Sequence, residues 1–472
     1  MARPIFLAGR FTETGTTAVI HSPYSGEPVA EVAQAGEREI EEALARAAGA
    51  RLTLASEPTG ERRGWLTAMA QGISGRLEDI ARSIALEAGK PISQARGEVR
   101  RAVETFTLAA AELATHRDEV VPIDLDANSA GYRCVVRSVP AGVVAAISPF
   151  NFPLNLAAHK VAPAIAVGAP VLLKPPPQAP TATLILAEIA QQAGLPEGAL
   201  SVLPCSNALA EKLATDPRVR VVSFTGSAKV GWHLRGRAER ARVVLELGGN
   251  AAAVVCADAD LDHAAQRLAA SAFAYAGQVC ISVQRIFVED AVREAFTAKF
   301  LERTRALVLG DPLDEKTFIG PVIDDRAAER IVRWIDEARQ RGAQVLLGGE
   351  PNGRMIPPHV LAKTPPDATL AREEVFGPVV LVDGFSDFEA ALHAANDSAW
   401  GLQAAIFSHD LRRLRRAEEA LEVGGLIIND APSFRSDAYP YGGVKGSGLG
   451  REGLRYAMEE LCEKRAVVTA RG

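Results

Sequence analysis

The chain has 472 residues, 48% apolar and 23% charged, and its 52 basic and 58 acidic side chains leave a net charge of −6. That length spans two or three domains with ample core, the composition excludes a disordered or fibrous protein, and the slight acidity gives no general attraction for nucleic acid or an anionic membrane. Five widely spaced cysteines (134, 205, 256, 280 and 462) without a C-x-x-C pattern imply neither a disulfide framework nor a metal site, so a reducing cytoplasm is expected.

The N-terminal apolar run Ile5-Phe-Leu-Ala8 is too short for a secretory signal. Residues 37–115 repeat apolar side chains at helical spacing (Ile40, Leu44, Trp65, Met69, Ile73, Phe106) among Arg and Glu, which predicts helices. Strands are predicted at 133–138, 142–147, 170–174, 219–224 and 242–247, with a helix over 181–193 stopped by Gly194 and Pro196. The stretch 138–158 is uncharged, but Pro140, Pro149 and Pro153 make it strand and turn, not a membrane span.

After Gly248-Gly249 the alternation restarts, with strands predicted at 252–256, 284–288, 344–347, 378–382, 403–407 and 425–429 between helices near 260–275, 291–307, 325–341, 387–396 and 411–422. Strands alternating with helices give an α/β fold with parallel sheets. The C-terminal run 465–470 reads as a strand with no evident partner in its own domain, and a second subunit is one way to cover it.

No Walker A, H-E-x-x-H or G-x-S-x-G is present. Gly448-Leu-Gly450-Arg-Glu-Gly453 matches a dinucleotide fingerprint but follows a loop and leaves too little chain for a strand–helix–strand unit. More telling are Glu246-Leu-Gly-Gly249 and Gly277-Gln-Val-Cys280-Ile-Ser282. A carboxylate at a strand end beside two glycines and a cysteine among small residues fit a general base and a nucleophile. Taken singly, the cysteine is better explained as a packed core residue.

Seven motifs in order change that balance: Ser148-Pro-Phe-Asn151-Phe-Pro153, Lys174-Pro175, Phe224-Thr-Gly226-Ser227, Glu246-Leu-Gly-Gly249, Gly277-Gln-Val-Cys280, Glu374-Val-Phe376-Gly-Pro378 and Pro440-Tyr-Gly-Gly443. Along nearly its whole length the chain resembles the aldehyde dehydrogenase superfamily. The resemblance implies a Rossmann-like cofactor domain (1–121 and 141–249), an α/β catalytic domain (250–454) and a small β oligomerisation element (122–140 and 455–472) serving a homodimer or homotetramer. It implies Cys280 as nucleophile, Glu246 as base and Asn151 as oxyanion donor. It places NAD or NADP against Ser148, Pro149, Phe150, Lys174, Pro176, Pro177, Phe224, Gly226, Ser227, Val230, Leu247, Gly248, Glu374 and Phe376. Many NAD-selective relatives carry Glu three residues after the Lys; here that residue is Pro177, which removes repulsion against a 2′-phosphate and makes NADP the expected preference.

Finer details, among them Phe152-Pro-Leu-Asn-Leu-Ala-Ala-His159 and Asn429-Asp-Ala-Pro-Ser-Phe-Arg435, resemble the branch of lactaldehyde, sulfolactaldehyde and phosphonoacetaldehyde dehydrogenases and non-phosphorylating glyceraldehyde-3-phosphate dehydrogenases. In that light Arg101, His159 and Arg435 are candidates for a pocket that holds an anionic or hydroxylated small aldehyde. For Arg101 the competing reading is an exposed helix arginine beside an Arg100–Glu104 pair. A coenzyme A-acylating dehydrogenase, an idle binding protein on the same fold and a redox-free cysteine hydrolase stay open; Glu246 speaks against the first, and intact Cys280, Glu246 and Asn151 against the second. The other four cysteines lie in apolar runs and read as core.

Overall fold

The computed structural model describes residues 2–115 and 118–470; Met1, His116, Arg117, Arg471 and Gly472, which fall in the segments 1–121 and 455–472, lie outside the described residues. A first parallel sheet contains Leu200–Val202, Val171–Lys174, Val143–Ile147, Val219–Thr225 and Arg242–Glu246, in that order. Alternate residues of Val143–Ile147 enter two different hydrophobic clusters: Val144 and Ala146 join the helices Leu77–Ala88, Ile92–Glu112 and Asn155–Val167, while Val143, Ala145 and Ile147 face Glu37–Ser56 and Asn207–Thr215. Both strand faces are therefore covered, which is why these strands are continuous apolar runs.

Short antiparallel strands, Ile5–Leu7 and Arg10–Thr12, extend one edge of this sheet. Gly448–Leu449, from the rejected fingerprint, closes the other against Leu245 and Glu246. A Cβ at residue 448 would strike the carbonyl of Leu245, so this glycine serves strand packing.

The second sheet runs Gln344–Leu347, His359–Ala362, Val379–Phe385, Val283–Glu289, Ala251–Val255, Gln403–Phe407 and Gly425–Ile428, parallel except for the first strand. The C-terminal strand Cys462–Thr469 finds one partner within the chain, pairing antiparallel with Arg133–Pro140 over eight residues, and Glu119–Val121 lies on the far side of Arg133–Pro140. Among the described residues its outer edge stays unpaired, with Val467 and Val468 exposed.

The stretch 37–115 forms four helices, Glu37–Ser56, Thr59–Gly75, Leu77–Ala88 and Ile92–Glu112. The strands Thr17–His21, Pro28–Ala33 and His359–Ala362 had no counterpart in the sequence reading. No helix among the described residues is long and apolar enough to cross a membrane. Cys134, Cys205, Cys256 and Cys462 are buried free thiols, as core cysteines are.

Candidate active site

The first sheet changes winding direction at Val143–Ile147, with Val171–Lys174 on one side and Val219–Thr225 on the other. In doubly wound sheets the crevice beyond the carboxyl ends of strands flanking such a point takes ligands. Ser148, Lys174, Gly226 and Leu247 follow or end those strands. Several features there are made for a ligand rather than for packing. The Ser148 hydroxyl is buried without a partner among the described residues. Ser227 opens the helix Ala228–Arg237 without capping it, so the helix N–H groups remain available to an anion. Gly226 answers to packing instead, since the Phe224 ring lies 2.6 Å from where its Cβ would stand. Lys174 is buried at its strand end, and burial lowers its ammonium pKa.

The remaining cofactor candidates line the same region with differing exposure. Leu247 is buried beneath Gly231, Pro149 and Phe150 are half-buried, and Pro176 is buried. Pro177 and Val230 are exposed. Across the crevice, Glu374 accepts the Gly249 amide at 3.1 Å, and Phe376 meets Phe150 edge-to-face with centroids 6.0 Å apart. Gly248 has no room for a Cβ because the Glu374 carboxylate occupies the space. Burial raises the Glu374 pKa to about 7.

Cys280 arrives on a tight turn. Tyr275, Ala276 and Gly277 are successive left-handed residues (φ 50°, 53° and 70°), and at 277 a side chain would strike the carbonyl of Gly377. The Asn151 amide donates to the Gln278 carbonyl at 3.0 Å, which aims it at the segment that carries the cysteine and leaves its second N–H free. The Cys280 sulfur lies 3.1 Å from the Tyr441 hydroxyl. Burial pushes the thiol up to about 11, against the pull of Tyr441 and Arg435.

Glu246 ends its strand with both carboxylate oxygens buried and without a partner among the described residues. A Cβ on Gly442, next to Tyr441, would come within 2.8 Å of its Oε1, so base and nucleophile border the same short segment. Burial, then the nearby Glu452 carboxylate, raises the Glu246 pKa well above the usual range. Glu452 stays ionised below that range: despite its burial, Lys160 at 3.2 Å and Arg435 at 2.9 Å hold its charge.

Arg101, His159 and Arg435 do converge, on a residue the sequence reading did not name. Asp437 takes Arg101 at 2.6 Å and His159 at 2.9 Å, with Arg435 Nε 3.4 Å away. Only Arg101 keeps a substantial exposed surface; the His159 and Arg435 side chains are nearly closed off. No Arg100–Glu104 ion pair forms among the described residues. His159 is pushed toward neutrality by burial and by Arg435, and Asp437, although buried, is held well below the carboxylate range by His159 and the two arginines.

Behind Asn151 lies a further buried pair. Lys90 bonds Glu98, and the Glu98 carboxylate also accepts the amides of Leu154 (2.9 Å) and Asn155 (3.2 Å) at the start of the helix Asn155–Val167. The Lys90 ammonium sits 3.6 Å from the Phe152 ring centroid and 4.9 Å from that of Tyr275, which joins the Asn151 turn to the Cys280 turn. Tyr441, Asp437, Glu452, Lys90 and Glu98 escaped the sequence reading. Signals were present for three of them: Tyr441 lies inside the last of the seven motifs, Glu452 lies inside the rejected glycine motif, and Asp437 is two residues from Arg435.

A model of the aldehyde dehydrogenase family matches residues 11–467. The chain belongs to the aldehyde dehydrogenase family. It is 41% identical over 465 residues to a 3-sulfolactaldehyde dehydrogenase of Priestia aryabhattai, an alignment spanning 98% of this chain and 97% of that one. An aldehyde dehydrogenase of Physcomitrella patens, solved in complex with the reaction product succinate, superposes with a TM-score of 0.97 at 40% identity, covering 99% of this chain and 98% of that chain. A glyceraldehyde-3-phosphate dehydrogenase of Methanocaldococcus jannaschii, solved with NADP, gives 0.93 at 37% identity over 97% of this chain and 100% of that chain. As an aldehyde dehydrogenase the chain is an oxidoreductase that uses NAD(P).

Proposed function

We propose that this dehydrogenase oxidises a small hydroxylated or anionic aldehyde to its acid, with NADP favoured over NAD, through a thioester on Cys280. The observation that carries the reading is Glu246: a buried carboxylate with two unpartnered oxygens beside the segment that touches the thiol has the form of a base kept for a water molecule. Cys280 adds to the aldehyde carbon as a thiolate. The oxyanion then finds the Asn151 amide and the Cys280 backbone N–H, each such donor being worth about 2.7–4 kcal/mol in other enzymes. Glu246 takes the proton of the water that clears the thioester, so the acyl group ends on water rather than on a second thiol.

The crevice residues fit a dinucleotide: a free helix N-terminus at Ser227 for the pyrophosphate, Lys174 for the adenosine ribose, Glu374 for the nicotinamide ribose, and the unpartnered Ser148 hydroxyl in between. When bound, the nicotinamide supplies the hydride acceptor. Pro177 presents no charge to the 2′ position, which supports acceptance of NADP. At the substrate end Arg101 is the arm open to an anion, and His159 and Arg435 orient it through Asp437. Relatives named for sulfolactaldehyde and glyceraldehyde 3-phosphate support that substrate class. We assign 1–121 and 141–249 to cofactor binding, 250–454 to catalysis, and 122–140 with 455–472 to assembly of a cytoplasmic homodimer or homotetramer.

The test is initial-rate formation of NADPH and NADH over paired aldehydes: propanal against sulfolactaldehyde, glyceraldehyde 3-phosphate and succinic semialdehyde. A large kcat/KM gain for an anionic aldehyde, with Arg101→Ala raising KM for it far more than for propanal, is expected. Equal losses on both substrates would return Arg101 to a structural role.

A further inference from the structure

The Pro440-Tyr-Gly-Gly443 segment has no chemistry assigned to it by its sequence motif, yet its tyrosine is the side chain that touches the nucleophile. Tyr441 is buried, its hydroxyl is 3.1 Å from the Cys280 sulfur, and the Arg435 guanidinium lies 3.7 Å above the ring centroid. Its backbone is fixed as well, bridged in both directions to Glu452. With a thiol, either atom can donate; with a thiolate, only the phenol can.

We propose that Tyr441 is a further catalytic residue, whose hydroxyl donates to the Cys280 thiolate and stabilises it, with Arg435 as a positioning residue that holds the ring and strengthens its O–H as a donor. The other charged groups that act on this pair are Glu246 and Glu374 on the sulfur and Glu246 on the phenol, all carboxylates that oppose ionisation. Arg435 is the cation set against them, and its own charge is held by Asp437 and Glu452. A hydroxyl donor therefore supplies stabilisation that the surrounding carboxylates withhold. The same bond has a second effect: a thiolate that accepts a hydrogen bond is less nucleophilic than a bare one. Tyr441 thus raises the fraction of thiolate while moderating its intrinsic reactivity. The proposal rests on Cys280 being the nucleophile.

The experiment is the pH dependence of Cys280 alkylation by iodoacetamide, with the labelled peptide identified by mass spectrometry, in the full-length protein without aldehyde. Tyr441→Phe is expected to move the midpoint up by about one to two pH units, the value of a hydrogen bond to a charged group. Its plateau rate at high pH should equal or exceed that of the unmodified protein. Tyr439→Phe removes a hydroxyl that bonds Gln403 and the Phe434 carbonyl instead, and should leave the midpoint in place. Fluorotyrosine at all six tyrosines, with a more acidic phenol and no change of fold, should move the midpoint down. A midpoint that stays put in both Tyr441→Phe and the fluorotyrosine protein overturns the proposal. Because alkylation needs neither aldehyde nor dinucleotide, that result would leave the dehydrogenase reading intact, whereas a shifted midpoint in a protein without turnover would sink only that reading.

Discussion

Replacing Glu98 by glutamine tests whether the buried Lys90–Glu98 pair acts as one unit. The side chains of both residues are almost wholly out of solvent. The glutamine side chain keeps an oxygen for the Leu154 and Asn155 amides but loses the charge, and Lys90 is left with the faces of Phe152 and Tyr275. Breaking one partner of a buried pair costs about 3–5 kcal/mol, and the cation–π contacts of Lys90 offset none of it because they are already made beside Glu98. Glu98→Gln should therefore lose roughly 3–5 kcal/mol. The double variant Lys90→Met, Glu98→Gln keeps the amide acceptor and removes the stranded ammonium, so it should recover at least half of that loss. Urea midpoints followed by tryptophan fluorescence at one protein concentration give both values. A double variant that loses the full sum of the two single losses would refute the reasoning, because the two side chains would then contribute independently.

The other expectations are briefer. Glu246→Gln should keep a first-turnover burst of reduced cofactor near one per Cys280 and slow the steady state by about 10²–10⁴, the usual value of a positioned base, as stopped-flow absorbance would read. Because its pKa is raised, Glu246 stays protonated to higher pH than an ordinary carboxyl, so thioester hydrolysis in the unmodified protein should weaken with falling pH before the ordinary carboxylate range, about 4.3, is reached; a rate that stays flat down to that range would contradict this. Pro177→Glu should shift the ratio of kcat/KM for NADP over NAD downward by about tenfold, the equivalent of about 1.4 kcal/mol of introduced repulsion. Gly277→Ala, at φ 70° and against the Gly377 carbonyl, should lower kcat more than it lowers cofactor affinity measured by fluorescence titration.

What could be read in advance followed physical visibility. Strands such as Val143–Ile147 and Val171–Lys174 show as continuous apolar runs because both faces are buried. Thr17–His21 and Pro28–Ala33 stayed hidden because most of their residues are partly or fully exposed and they pair with each other, with one further bridge from Val32 to Arg3. Cys280, Glu246 and Asn151 were legible because their motifs recur in order. Asp437 was not, since its importance comes from Arg101 and His159, more than 270 residues away. Glu452 was hidden by the glycines around it, of which Gly448 serves strand packing and Gly450 and Gly453 turn the chain at positive φ. For the last strand, an exposed apolar pattern is the same whether its partner is the 133–140 segment or another copy, and only topology separates them.

The left-handed run at 275–277 has a consequence for how the two halves of the crevice can evolve. Gly277 abuts Gly377, one residue beyond Phe376, while a Cβ on Gly249 would sit 2.7 Å from the Cys280 carbonyl, and the Gly249 amide binds Glu374. Nucleophile turn, strand-end turn and the Glu374 segment thus meet at a three-way joint of close backbone contacts that the Glu374 carboxylate fills out. Drift in substrate or cofactor preference has to come from residues around that joint, such as Arg101 or Pro177, because a change within it would move the sulfur and the Glu374 carboxylate together.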